Sequence, residues 1–76
     1  MNKARRISIT KIADSLQALK SDVESIQSEE QDAYDNLPES FQDGERGDRM
    51  QEAIGNLDDA LNLIDEAVTS LMQAAE

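Results

Sequence analysis

The sequence predicts an all-α fold: an antiparallel two-helix coiled-coil hairpin that dimerises into a four-helix bundle. Two apolar stripes, each repeating in alternating steps of three and four residues, are separated by a segment rich in turn-forming residues. A repeat of 3.5 residues keeps one narrow stripe of a helix turned towards a partner helix. With 76 residues, the chain has room for one small domain, so a single helical hairpin over residues 1–76 is expected.

Helix 1 is predicted over about residues 5–36. Its stripe places Ile9, Leu16, Val23, Glu30 and Leu37 at heptad position a, and Ile12, Leu19, Ile26 and Ala33 at position d. Glu30 is the one carboxylate in this stripe, and two interpretations of it stay open. It either sets the register of helix pairing as a polar a residue, or it is solvated at a fraying helix end. Tyr34 lies beside the stripe, where its ring can fill the gap.

The connector is predicted over residues 37–47. Pro38 disfavours helical conformation in the residue before it and suits the first turn of a new helix, so a short turn over residues 38–42 is expected. Gly44 and Gly47 can adopt positive φ and so allow the chain to reverse. The tripeptide Arg46-Gly47-Asp48 also matches a cell-adhesion motif. A glycine turn followed by a helix cap explains the same residues without a receptor.

Helix 2 is predicted over about residues 48–75, with Asp48 as N-cap and Gln51 completing a capping-box-like pair. Its stripe is uninterrupted: Met50, Ile54, Leu57, Leu61, Ile64, Val68, Leu71 and Ala75. Together the two stripes are expected to form the contacts of the hairpin or of the dimer through Ile12, Leu16, Leu19, Val23, Ile26, Ile54, Leu57, Leu61, Ile64, Val68 and Leu71.

A row of alanines precedes each a position of helix 2, at Ala53, Ala60, Ala67 and Ala74. Such a row widens the apolar surface and lets another helix approach closely. A homodimer of hairpins is therefore expected, because one hairpin buries too little for a small domain without disulfides. The alternative is that these alanines only favour helix formation, since alanine has the highest helix propensity.

The net charge of −10 is unevenly distributed. Residues 1–20 carry five basic side chains against one acid, whereas residues 21–76 carry two against sixteen. The acidic excess repels phosphates, so direct binding to nucleic acid is not expected, and a protein partner with a basic surface is favoured. The residues predicted to contact that partner are Glu29, Asp32, Asp35, Asp58, Asp59, Asp65 and Glu66.

The residue types argue against catalysis. Without Cys or His, the chain lacks the usual bases and nucleophile pairs as well as zinc ligands of the N/S type, so no catalytic, cofactor-binding or metal-binding residue is predicted. The paired carboxylates lie at helical positions that face solvent. No apolar run is long enough for a membrane span or a secretory signal, and a cytoplasmic location in a bacterial host is expected.

The centre of the chain carries a specific motif. It reads Glu29-Glu30-Gln31-Asp32-Ala33-Tyr34-Asp35-Asn36-Leu37-Pro38-Glu39-Ser40-Phe41-Gln42, followed by Glu45-Arg46-Gly47. It resembles small acidic helical-hairpin proteins encoded in bacteriophages and prophages, with an EEQ-A-[YF]-DNLPES-Q--ERG centre. The resemblance extends over nearly the whole chain, although helix 1 here has more serine and a less charged surface. It implies a phage setting and assigns no activity.

Two classes of function fit these observations. The first is a non-enzymatic interaction protein that inhibits a host nucleic-acid-handling defence protein through acidic, DNA-mimicking surfaces. Sixteen acids along about 40 Å give about one charge per 2.5 Å, against about one per 1.7 Å for duplex DNA. The alternative is a structural or adaptor helical dimer in which the acids only confer solubility. Salt-sensitive binding to the basic groove of a nuclease distinguishes the first class from the second.

Overall fold

The computed structural model describes all residues 1–76 as a helical hairpin. Its helices are α1 (Lys3–Asp35), α2 (Glu39–Gln42) and α3 (Glu45–Ala74). The two long helices pack side by side in antiparallel orientation, and the single turn of α2 closes the tip. The Cα atoms extend over 58 × 15 × 11 Å. The predicted all-α hairpin is therefore confirmed.

Helix α1 begins close to the N-terminus because Asn2 caps it. The Asn2 side-chain oxygen accepts a hydrogen bond from the Arg5 backbone N–H at 2.8 Å, which satisfies one of the free donors of the first turn. Serine and threonine hydroxyls along α1 donate to the carbonyl four residues earlier, beginning with Ser8 to Ala4 at 3.1 Å. Five of the six serine and threonine hydroxyls of α1 are bonded in this way, and Ser28 is the exception.

The connector differs in part from the prediction. Pro38 precedes the short helix α2, in agreement with the expected turn, but no glycine has positive φ. Asp48 is not an N-cap: α3 begins at Glu45, after extended Gly44, and the Asp48 N–H already donates to the Gly44 carbonyl at 3.0 Å. The carboxylates of Glu45 and Asp48 lie in the first turn, where they interact favourably with the positive end of the helix dipole. This interaction favours the earlier start of α3.

Gly47 has a packing role instead of a turn role. It is buried within the first turn of α3, and a Cβ atom built on it would lie 2.1 Å from the backbone oxygen of Gln42. Only glycine fits where the two backbones approach so closely. The Gln42 side chain in turn donates to the Tyr34 carbonyl at 3.0 Å, which ties the end of α1 to the connector.

The apolar stripe of α3 faces α1 as predicted. Leu61 and Val68 are buried, and every other member of the stripe from Met50 to Ala75 is half-buried. Ala13 of α1 is only 1% exposed and marks a close approach of the two helices. The interior of the hairpin is thin, since Ala13, Gly47, Leu61 and Val68 are its only buried residues.

The predicted stripe of α1 is half wrong for the hairpin. The a positions, Leu16 and Val23 among them, are half-buried, but the d residues Ile12, Leu19 and Ile26 are 52%, 55% and 54% exposed. Position e replaces d in the contact with α3, through Ala13, Lys20, Gln27 and Tyr34. Three of these bind α3 directly: Lys20 pairs with Asp65 at 2.8 Å, Gln27 donates to the Ile54 carbonyl at 3.2 Å, and the Tyr34 hydroxyl accepts from Gln51 at 2.7 Å.

Glu30 is half-buried within α1, five residues before the helix ends. The helix end is therefore not frayed at Glu30, and no side-chain hydrogen bond or ion pair of Glu30 is present. Glu30→Leu is expected to raise the free energy of unfolding by about 1 kcal/mol, because an apolar side chain gains from partial burial. Chemical denaturation measures the change. Asp32→Leu, on the exposed outer surface of α1, serves as control; equal effects of the two changes would contradict the expectation.

Candidate interaction surfaces

The ion pairs of Lys20 define one side of the hairpin. Its ammonium group lies 2.8 Å from Asp65 Oδ1 on α3 and 3.7 Å from Glu24 Oε1 on α1. The hydrogen bond to Asp65, followed by the charges of Asp65 and Glu24, raises the pKa of Lys20, and partial burial opposes the rise. Lys20 is therefore protonated throughout the physiological range, and its charge is already matched by two carboxylates. We call this side of the hairpin the ion-pair side.

The opposite side of the hairpin is apolar. With about 100° of rotation per residue, position d of α1 falls on one side of its contact line with α3, whereas Glu24 falls on the other. On α3, the alanine row falls on the same side of the hairpin as position d of α1, and Asp65 falls on the same side as Glu24. Ala53, Ala67 and Ala74 are exposed and Ala60 is half-buried, in line with this placement. We call this side the flat apolar face; it is formed by Ile12, Leu19, Ile26 and Ala33 of α1 and by Ala53, Ala60, Leu63, Ala67 and Ala74 of α3.

The seven predicted partner-binding acids are all exposed, but they do not form one patch. By the same rotation, Asp58 and Asp65 lie on the ion-pair side, and Asp59 and Glu66 lie on the outer surface of α3. Asp65 and Glu66 also line a shallow, open depression together with Thr69 and Ser70. The other three are on α1, where Asp32 and Asp35 lie on its outer surface and Glu29 lies at the edge of the flat apolar face.

Helix α3 has an acidic row that the sequence reasoning identified only in part. Glu45, Glu52, Asp59 and Glu66 recur every seven residues and are all exposed. A seven-residue step keeps side chains on one surface of a helix at intervals of about 10.5 Å. From residue 50 to its end at Ala74, α3 carries five acids and no basic residue. We call Glu52, Asp58, Asp59, Asp65 and Glu66 the acidic ridge; heptad counting alone would have added Glu52.

Other features of the structure do not point to a further binding site. No group of three or more acidic side chains is placed to hold a metal ion. No helix combines the length and the apolar character that crossing a membrane requires. Apart from Lys20, Arg49 makes the one remaining ion pair, with Glu45 one turn earlier on α3. Arg46, Gly47 and Asp48 lie in a helix with Gly47 buried, so this tripeptide is not displayed on an exposed loop.

Comparisons of the chain with protein-family models, with curated proteins and with solved structures gave no match.

Proposed function

We propose that this chain is a non-enzymatic interaction protein whose acidic ridge binds a basic surface of another protein. The observation that supports this proposal is the one-sided charge of α3, with five acids and no basic residue from residue 50 onward. The five ridge carboxylates extend over about 21 Å, with one charge every 4 to 5 Å, close to the spacing of about 3.4 Å along one DNA strand. A groove that binds a nucleic-acid strand therefore suits the ridge electrostatically.

The phage setting that the central motif implies makes a host nucleic-acid-handling defence protein the proposed target, and a cytoplasmic location in the bacterial host goes with it. Inhibition then follows from occupation of the basic groove, with no chemistry required of the chain. Over the whole molecule, seventeen acids along 58 Å give about one every 3.4 Å. The sequence alone predicts about one charge per 2.5 Å over helices of about 40 Å. The spacing in the structure is wider because the hairpin is longer.

A homodimer is the proposed functional form. The alternative function is a structural or adaptor helical dimer without mimicry, which the thin interior of the hairpin favours equally. The two functions differ in what the acids do. A mimic depends on them for binding, whereas an adaptor needs them only for solubility.

Neutralising the ridge is expected to abolish the interaction and leave the fold intact. The variant Glu52→Gln/Asp58→Asn/Asp59→Asn/Glu66→Gln spares Asp65 and therefore the Lys20 ion pair. Affinity for a basic protein captured from host lysate should fall at least about ten-fold, because the contact is charge to charge. Binding of the unmodified chain should also weaken steeply with salt and be displaced by duplex DNA.

The matched control removes four other exposed carboxylates: Asp14→Asn/Asp22→Asn/Asp43→Asn/Glu76→Gln. Both variants change the net charge from −10 to −6, so a difference between them reports position and not total charge. Affinity that ignores salt and survives the ridge variant would exclude mimicry and leave the adaptor. Equal losses in both variants would show general electrostatic attraction without a defined ridge.

A further inference from the structure

We propose that the flat apolar face is the dimer interface and that its occupant is a second copy of this chain. The inference rests on the proposed homodimer and names its surface, whose α1 residues the sequence assigned to the hairpin or the dimer contact without distinguishing the two. Ile12, Leu19 and Ile26 are each more than half exposed, and Leu63 on α3 is 64% exposed. Four large aliphatic side chains on one side of a strongly charged molecule are costly to leave in water.

Charge selects this face over the other surfaces. From residue 53 to residue 74, the side chains of α3 that border the face are all uncharged. Each copy carries a net charge of −10, so two copies repel one another wherever their acids meet. Approach through the flat apolar face keeps both acidic ridges on the outside, away from the interface. The dimer therefore leaves the proposed partner-binding surface free on each copy.

The two halves of the face are complementary in shape. The antiparallel register, with Gln27 beside Ile54 and Lys20 beside Asp65, places Leu19 level with the gap between Ala60 and Ala67. Ile26 is level with the gap before Ala60, and Ile12 with the gap after Ala67. A two-fold axis along the hairpin sets α1 of one copy over α3 of the other at the same level. The large side chains then enter the spaces between alanines, as knobs enter holes in a coiled coil.

The area of the face is near the lower limit for a specific pair. Its residues span about 32 Å along each long helix and about 15 Å across the hairpin, which gives about 480 Å² per copy and about 960 Å² in total, close to the ~1,000 Å² expected of a biological interface. The hairpin alone buries only four residues. A second layer would convert this thin pair of helices into a four-helix bundle with a continuous interior.

The first test is the mass in solution of three chains at tens of micromolar. Light scattering should give twice 8.4 kDa for the unmodified chain and for Gln17→Glu, and 8.4 kDa for Leu19→Glu. Gln17 is an exposed residue towards the ion-pair side of α1, so both substitutions add one negative charge to the same helix. A monomeric unmodified chain, or a dimeric Leu19→Glu, would overturn the inference. A dimeric Leu19→Glu would leave the proposed homodimer intact and would show only that its interface lies on another surface.

If Leu19→Glu does not fold as a monomer, cysteine cross-linking decides, because the chain has no native cysteine. Mixing Leu19→Cys with Ala60→Cys under mild oxidation should yield the mixed disulfide in preference to either self-pair. Gln17→Cys should cross-link to neither. Equal cross-linking by Gln17→Cys, or preferential Leu19→Cys self-pairing, would overturn the arrangement. Binding of the basic partner is measured separately with the ridge variant, so failure of either proposal is seen independently of the other.

Discussion

Leu61→Asp is expected to unfold the protein. Leu61 is 7% exposed at the middle of α3 and faces α1. The substitution removes about 1.5 to 3 kcal/mol of apolar burial and places a carboxylate in the thin interior, where an uncompensated charge costs several kcal/mol more. A small domain without disulfides has about 3 to 5 kcal/mol from its core, so the sum exceeds the available stability. Far-UV circular dichroism should show loss of helix at room temperature.

Asn62→Asp is the matched control, since it adds the same charge one residue later on an exposed surface of the same helix. Exposed substitutions of this kind change the free energy of unfolding by about 0.5 kcal/mol or less. If Leu61→Asp kept its helicity and its cooperative unfolding, α3 would contact α1 through a different stripe. The half-buried pattern from Met50 to Ala75 would then need another explanation.

The fold was predictable because heptad spacing reports helices and their lengths directly. The stripe of α3 was predicted residue by residue, since its a and d residues are apolar throughout and no other register competes. In α1, however, a/d and a/e registers share the same a residues. The sequence alone does not show that Lys20 reaches Asp65 or that Tyr34 contacts Gln51, so its pattern favours the large aliphatic d residues.

The candidate surfaces were likewise predictable in part. Exposure of the seven acids follows from their polarity and was predictable, but their distribution around two helices depends on how the helices are rotated against one another. That rotation depends on the α1 register, which was the part predicted wrongly. Correcting it by one position separates the acidic ridge from the flat apolar face. Ile12, Leu19 and Ile26 then become available to a partner, whereas Glu52 belongs to the ridge by heptad counting on α3 alone.

Gly47→Ala is expected to destabilise the hairpin even though alanine is the better helix former. The added Cβ would lie 2.1 Å from the Gln42 oxygen, 2.6 Å from its carbonyl carbon and 2.7 Å from its Cα. All three are backbone atoms, so no side chain can rotate away and the connector itself must shift. Overpacking of this kind costs about 1 to 3 kcal/mol, which outweighs the gain of about 1 kcal/mol in helix propensity. Larger residues at this position should have larger effects.

Gly55→Ala provides the control within the same helix. Nothing lies within 4 Å of a Cβ built at Gly55, so this change should raise the free energy of unfolding by about 0.5 to 1 kcal/mol. The melting temperature should therefore fall for Gly47→Ala and rise for Gly55→Ala, by about 4 to 8 °C per kcal/mol for a domain of this size. A rise in melting temperature for Gly47→Ala would mean that α2 does not pack against the start of α3. The tip would then be free to open, and the hydrogen bond from Gln42 to the Tyr34 carbonyl would not hold it.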